Sequence, residues 1–191
     1  MIIGVCGKIA SGKTVVMEIL EKLGFFCIYA DKVVHELYRG GGVGSRVIME
    51  AFGREFLFEN GEVDRVRLRD LVFSDLKKLQ LLNQVVHPLV EGELNKVLSV
   101  VKSENIAIES IYFDEIGMGD LVDKVLWVDR PEEDIFEVLV GERGFSAKMA
   151  KDVIDFAGKP SKIDFVVSNA GSMYDLKSSL TDLVETLSAE L

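Results

Sequence analysis

Cysteine is scarce in this chain: Cys6 and Cys27 are the only two among 191 residues, and neither stands in a CxxC or other metal-ligand spacing. A disulfide framework and a thiolate metal cage are excluded on that count, and the expectation is a reduced, cytoplasmic setting with two buried thiols. Basic residues are outnumbered, with 22 Lys plus Arg against 32 Asp plus Glu and a net charge of −10. A nucleic-acid or anionic-membrane partner needs a basic face, so neither is expected, although a few cations beside a phosphate site are compatible with the total. No apolar run approaches membrane-spanning length, no basic leader precedes the first apolar run, and no repeat, low-complexity tract or inter-domain linker stands out. What is present is a 48% hydrophobic composition of ordinary globular kind, in a chain able to bury one sizeable core.

The stretch GKIASGKT fits the phosphate-binding template GxxxxGK[ST] at every fixed position. Residues 1–6 (MIIGVC) read as a short buried strand and residues 15–23 as a helix, so strand, loop and helix follow in the order the template requires. Gly7 and Gly12 let the backbone curl so that amide N–H groups along Lys8, Ile9, Ala10 and Ser11 point at phosphate oxygens, with the helix N-terminus at Val15 adding its dipole. Lys13 then reaches the β and γ phosphates, and the Thr14 hydroxyl ligates Mg²⁺.

Beyond the loop, residues 25–30 (FFCIYA) read as a second strand running into a helix over residues 32–38. Asp31 at that junction has two readings, a helix N-cap or a carboxylate facing the γ-phosphate. The second follows because ligands gather at the carboxyl ends of strands and the ends of the first two strands can lie side by side. Gly40, Gly41 and Gly42 mark a loop before a helix over 45–52, and Asn60–Gly61 a turn. Asp64 suits the N-cap of a helix over 65–73. Apolar residues at Leu79, Leu82, Val86, Leu89, Val90, Leu94, Val97 and Val101 recur at helical spacing, with Pro88 expected to bend or divide the segment. The middle third therefore reads as a helical excursion. Strands return at 106–111, 124–128 and 165–167, separated by helices, which predicts an α/β doubly wound parallel sheet of about five strands. Pro131 suits the first turn of the next helix, residues 142–146 (ERGFS) break it, and Leu176, Leu180, Leu183, Val184 and Leu187 form the packed face of a closing helix.

The DEIG of residues 114–117 matches a short GTPase element, but no NKxD follows it. The chain as a whole resembles the dephospho-coenzyme A kinase family. The resemblance runs through the loop, IYADKVVHEL, AFGREFL, GEVDRVRL, VFSD, LLNQVVHPLV, DKVLWVDRPEE and SNAGS, in that order and spacing. It implies a three-layer P-loop kinase of the nucleoside-monophosphate-kinase-like group. The core would be residues 1–38, 104–138 and 161–191, with a helical substrate subdomain over 39–103 and a small lid over 139–160. It further implies ATP as co-substrate with Mg²⁺, and dephospho-coenzyme A as the substrate phosphorylated on its ribose 3′-hydroxyl. The protein would be a monomer or weak homo-oligomer. Residue by residue, Asp31 matches the aspartate facing the acceptor hydroxyl, Arg65 and His87 match acceptor-holding positions, and Asn169 and Gly171 fall in the adenine-side loop. Simpler structural roles stand beside these: His87 serving buried carbonyls at a bend, Arg65 balancing Asp64, Asn169 as a turn residue, and His35 on the solvent face of its helix.

Several positions depart from the family pattern. Lys8 stands where glycine is usual, and residues 109–115 (ESIYFDE) lack the usual proline. That alignment leaves Glu109 in the acidic position at the third strand's end, where it would hold Mg²⁺ through water. Val138 and Glu142 occupy the places of two lid arginines, so Arg143, with Lys159, is the remaining candidate to stabilise charge on the transferring phosphoryl group.

Overall fold

Short β-branched runs separated by amphipathic helices give the expected alternation. In the computed structural model, which describes residues 1–110, 121–156 and 159–189, the strands are β1 (Ile2–Cys6), β2 (Phe26–Tyr29), β3 (Ile106–Glu109), β4 (Lys124–Asp129) and β5 (Phe165–Ser168). They form one five-stranded parallel sheet in the order β2-β3-β1-β4-β5. In register, Val5 faces Glu109 on one side and Leu126 on the other, and Trp127 faces Val166. Because β3 lies between β1 and β2, the carboxyl ends of the first two strands are not neighbours as the sequence suggested. The chain returns from its helical excursion to fill the slot between β2 and β1. Parallel pairing permits this because each crossover is long enough to skip a position.

The helices are α1 (Lys13–Lys22), α2 (Ala30–Leu37), α3 (Val43–Phe52), α4 (Arg65–Ser74), α5 (Leu76–Val100), α6 (Glu132–Glu137), α7 (Ala147–Phe156) and α8 (Met173–Ala189). A π-turn, Val138–Glu142, extends α6, so the predicted break begins at Arg143 rather than Glu142. Pro131 is the N-cap of α6 and not part of its first turn. The chain divides into two compact units, Met1–Ile28 with Lys102–Leu191, and Tyr29–Val101. In the first, α1 lies on β1 and β3 while α8 lies on α1 and β5. Ile3, Val5, Met17, Leu20, Ile108, Leu126 and Leu180 are fully buried there, the apolar layer that a sheet covered by helices needs on its faces.

In the second unit α2, α3 and α4 pack on α5, whose Leu79, Val86, Val90 and Leu94 are buried at the predicted spacing. Pro88 does not divide α5, which runs unbroken through it. Proline removes one N–H from the helix ladder, but Gln84 and Pro88 are both exposed, so the carbonyl left over faces the wet side. Asp64 and Asp75 cap α4 and α5, accepting from the amides of Arg67 at 3.0 Å and Lys77 at 2.9 Å. Among the described residues no helix is long and apolar enough to cross a membrane. The DEIG element and residues 111–115 lie outside the described residues.

Candidate functional site

The loop between β1 and α1 is shaped by three backbone features. Gly12 caps α1 with φ +97°, a left-handed conformation that glycine adopts without penalty, and Ala10 also sits at positive φ, +59°. Gly7 backs onto β4 so closely that a Cβ there would lie 2.7 Å from the Val128 carbonyl oxygen. These conformations turn the segment into a closed cradle. Ser11 is fully buried inside it, its amide donating to the Lys8 carbonyl at 3.1 Å, and its Oγ has no hydrogen-bond partner among the described residues. Lys13 is only 5% exposed, and its Nζ donates to the carbonyl oxygens of Gly7 and Lys8, each at 3.0 Å. A buried ammonium resting on the loop's own carbonyls, beside an unsatisfied hydroxyl, is a site built for an anion with several acceptor oxygens.

The loop is braced from three sides. Asn169, after β5, donates from Nδ2 to the Ser11 carbonyl at 2.8 Å, while its own amide donates to the Asp129 carbonyl at 2.7 Å. It is therefore more than a turn residue. Gly171 follows, exposed, beside the carboxylate of Asp175. Ile9 and Ala10 pack against a cluster of Ile135, Leu139, Ala150 and Ile154 from α6, the π-turn and α7, so these two loop residues have a packing role as well as a place in the motif. Arg130, at the end of β4, donates from Nη1 to the Ala10 carbonyl at 3.3 Å, with its Nε 3.8 Å from Asp134. Lys8 is ion-paired with Glu132.

A cavity of about 150 Å³ opens beside the loop, lined by Lys8, Trp127, Asp129, Arg130, Glu132 and Lys159 among others. Lys159 lies 5.5 Å from the Trp127 ring centroid, in cation–π range. Arg143 is exposed at the end of the π-turn and does not line that cavity. Among the described residues Arg130 is thus the arginine in contact with the loop, and no sequence motif marks it. Its position at a strand's carboxyl end, where ligands of parallel sheets gather, was the available signal. Thr14 is exposed in the first turn of α1, Val15 is half-buried behind it, and Glu109 is the last residue of β3, level with Val5. Among the described residues no three His, Cys, Asp or Glu side chains gather as a metal cage.

The second unit carries its own cavity, about 370 Å³, lined by Asp31, Lys32, His35, Glu36 and Arg65. Tyr29 is the N-cap of α2 and no side chain bonds the cap, so Asp31 stands exposed in the first helical turn and is not the cap residue. Residues 31, 32, 35 and 36 share a face because they are spaced by three and four. Arg65 Nη1 lies 2.6 Å from His35 Nδ1, so Arg65 does more than balance Asp64, and exposed His35 is not an idle solvent residue. The buried Tyr38 phenol is held well above its ordinary pKa by burial, with the Arg65 charge pulling the other way. His87 is half-buried on α5, one residue before Pro88, and does not line this cavity.

A glycine-shaped phosphate loop leading from the first strand of a parallel sheet into a helix, with a buried lysine in it, defines a P-loop nucleotide-binding protein. Comparison with known proteins narrows the class. The family model for dephospho-CoA kinase matches residues 1–175. A dephospho-CoA kinase of Carboxydothermus hydrogenoformans is 31% identical over 96% of this chain and 93% of its own length. One of Staphylococcus aureus is 34% identical over 96% and 92%. Among solved structures, dephospho-CoA kinase from Campylobacter jejuni superposes with a TM-score of 0.68 at 22% identity, covering 99% of this chain and 98% of that one. Shikimate kinase from Bacteroides thetaiotaomicron gives 0.56 at 15%, covering 98% of each, a likeness of fold. The chain belongs to the dephospho-CoA kinase family, the enzymes of the last step of coenzyme A biosynthesis, which use ATP as co-substrate.

Proposed function

We propose that this protein transfers the γ-phosphoryl group of ATP to the ribose 3′-hydroxyl of dephospho-coenzyme A through the residues described above. The observation that carries the acceptor half is Asp31: a carboxylate free of capping duty, exposed in a cavity with Arg65. Its role is to accept a hydrogen bond from the 3′-hydroxyl and take the proton as that oxygen bonds to phosphorus and the bond from phosphorus to the β,γ-bridging oxygen breaks, releasing ADP. Arg65 holds an anionic part of the acceptor, and His87 contributes from α5. Tyr29–Val101 then acts as the substrate unit, and residues 139–160 as a lid.

On the nucleotide side, Lys13 leaves the Gly7 and Lys8 carbonyls for the β and γ phosphates, and the orphaned Ser11 hydroxyl gains an acceptor. Asn169 and Gly171 border the adenine. Arg143 and Lys159 supply further positive charge, as Lys8 would on release from Glu132. Thr14 and Glu109 offer hydroxyl and carboxylate oxygens, the hard donors Mg²⁺ takes alongside water and phosphate ligands. Bound there, Mg²⁺ would neutralise charge on the β and γ oxygens. The expected setting is the cytoplasm, as a monomer or weak homo-oligomer. An acceptor panel tests the reading: ADP release should depend on dephospho-coenzyme A and be absent with adenosine or shikimate. Equal rates with all three would refute it.

A further inference from the structure

Helices α2 and α4 bring two nitrogen-bearing side chains to one cavity, and the contact between them fixes more than their positions. A guanidinium has donors and no acceptor, so the His35 Nδ1 that lies 2.6 Å from Arg65 Nη1 must carry a lone pair. His35 is therefore a neutral imidazole with its proton on Nε2, a tautomer set by its partner. Both residues are exposed and both line the 370 Å³ cavity.

The charges around Arg65 make this partner informative. The adjacent carboxylate, Asp64, receives the Arg67 amide at 3.0 Å as the cap of α4. Tyr38, whose titration Arg65 influences, keeps its proton through burial. Asp31 and Glu36 line the cavity with Lys32, but among the described residues Arg65 has no carboxylate oxygen within 4.0 Å. Lys32 instead lies over the Tyr29 ring, 4.0 Å from its centroid. The one side-chain hydrogen bond that restrains Arg65 thus comes from a neutral acceptor. A carboxylate in that place would hold the guanidinium equally well and cancel its charge. Imidazole restrains the side chain, lowering the entropy lost when a ligand is bound, and leaves a full positive charge on a residue that lines the cavity.

We propose that His35 is a positioning residue that orients Arg65, uncancelled, toward an anionic phosphate group of the acceptor. The inference rests on the reading of this cavity as the acceptor site. Steady-state kinetics on the full chain with ATP and dephospho-coenzyme A tests it, using H35A, H35N, H35E, R65A and the double variant H35A/R65A, each checked by thermal unfolding. H35A should raise KM for the acceptor roughly fivefold, with kcat and the KM for ATP little changed. H35N, whose Oδ1 accepts without neutralising, should recover most of the loss. H35E, which accepts and neutralises, should be at least as poor as H35A. The double variant should be no worse than R65A, since His35 acts through Arg65. Wild-type acceptor KM in H35A or H35E, or additive losses in the double variant, would overturn the role of His35 while leaving the acceptor site standing. An unchanged acceptor KM in R65A would overturn the acceptor-site reading itself, and this inference with it.

Discussion

The side-chain nitrogen of Asn169 lies 2.8 Å from the Ser11 carbonyl oxygen, and a Cβ added to Gly12 would come within 2.0 Å of that same nitrogen. One glycine thus permits both the left-handed turn of the phosphate loop and the bond that ties the loop to the end of β5. Gly12→Ala is expected to displace Asn169 and strain the backbone at φ +97°, costing on the order of 2 kcal/mol and most ATP binding. Thermal unfolding and isothermal titration with ATP read the two effects separately.

Lys13→Ala removes the only charged side chain buried in the loop. In the proposed reaction its ammonium would stabilise charge that grows on the transferring phosphoryl group, so kcat should fall by roughly a hundredfold or more, with the fold intact by circular dichroism.

Asp31→Asn should lower kcat far more than it weakens ATP. The residue is exposed and bonds no cap, so its removal costs the fold little, while the amide cannot take the proton of the acceptor hydroxyl. Stopped-time turnover assays beside nucleotide titrations check the split. Wild-type turnover would return Asp31 to a purely electrostatic role at the helix start.

The start of α8 should be acid-sensitive. Ser172 and Asp175 form a reciprocal cap: the Asp175 carboxylate accepts from the Ser172 amide at 3.1 Å and its hydroxyl at 2.7 Å, and the Ser172 hydroxyl accepts from the Asp175 amide at 3.2 Å. These bonds hold the Asp175 carboxyl below its ordinary value of 3.8. A carboxylate with a depressed folded pKa adds stability that is present above the unfolded value. That stability is lost as pH falls below 3.8 and through the lower folded value. Protection of the amides over the first turn of α8, measured against their intrinsic exchange rates, should therefore fall in that acid window, and Asp175→Asn should remove that acid-dependent loss of protection.

Cys27 should react slowly. Burial, with a smaller push from Glu21, raises its thiol to about 11, and its Sγ donates to the Met17 carbonyl at 3.4 Å. Although Cys27 is half-buried and not fully sequestered as its sequence suggested, its thiolate population at mildly alkaline pH should be about a hundredfold below that of a free thiol. Peptide mapping after timed iodoacetamide treatment, native against urea-unfolded, measures this.

Legibility in the sequence followed the range of the interaction. The loop, the strands and the buried face of α5 are written locally, in template spacing and hydrophobic period, and they appear where expected. Strand order is not local, which is why β3 between β1 and β2 could not be read from spacing. Pro88 shows the opposite failure, a local breaker signal overridden because its lost hydrogen bond faces solvent in a long, well-packed helix. Asp31 and Arg65, which line one cavity, and Asn169, which braces the loop, were named from motif position. Arg130 and the partnership of His35 with Arg65 depend on contacts across 120 and 30 residues, respectively, and no periodicity encodes them. The Ser172–Asp175 cap was available as an S-x-x-D signal ahead of an apolar helix.

The central claim is that a phosphate loop and an acceptor cavity holding Asp31 and Arg65, in one chain, make coenzyme A. It is tested most directly by incubating the purified protein with ATP, Mg²⁺ and dephospho-coenzyme A and separating the products by chromatography. ADP and coenzyme A should accumulate in equal amounts, and both should vanish when either substrate is withheld. ADP released at the same rate without the acceptor, or dephospho-coenzyme A recovered unchanged, would contradict it.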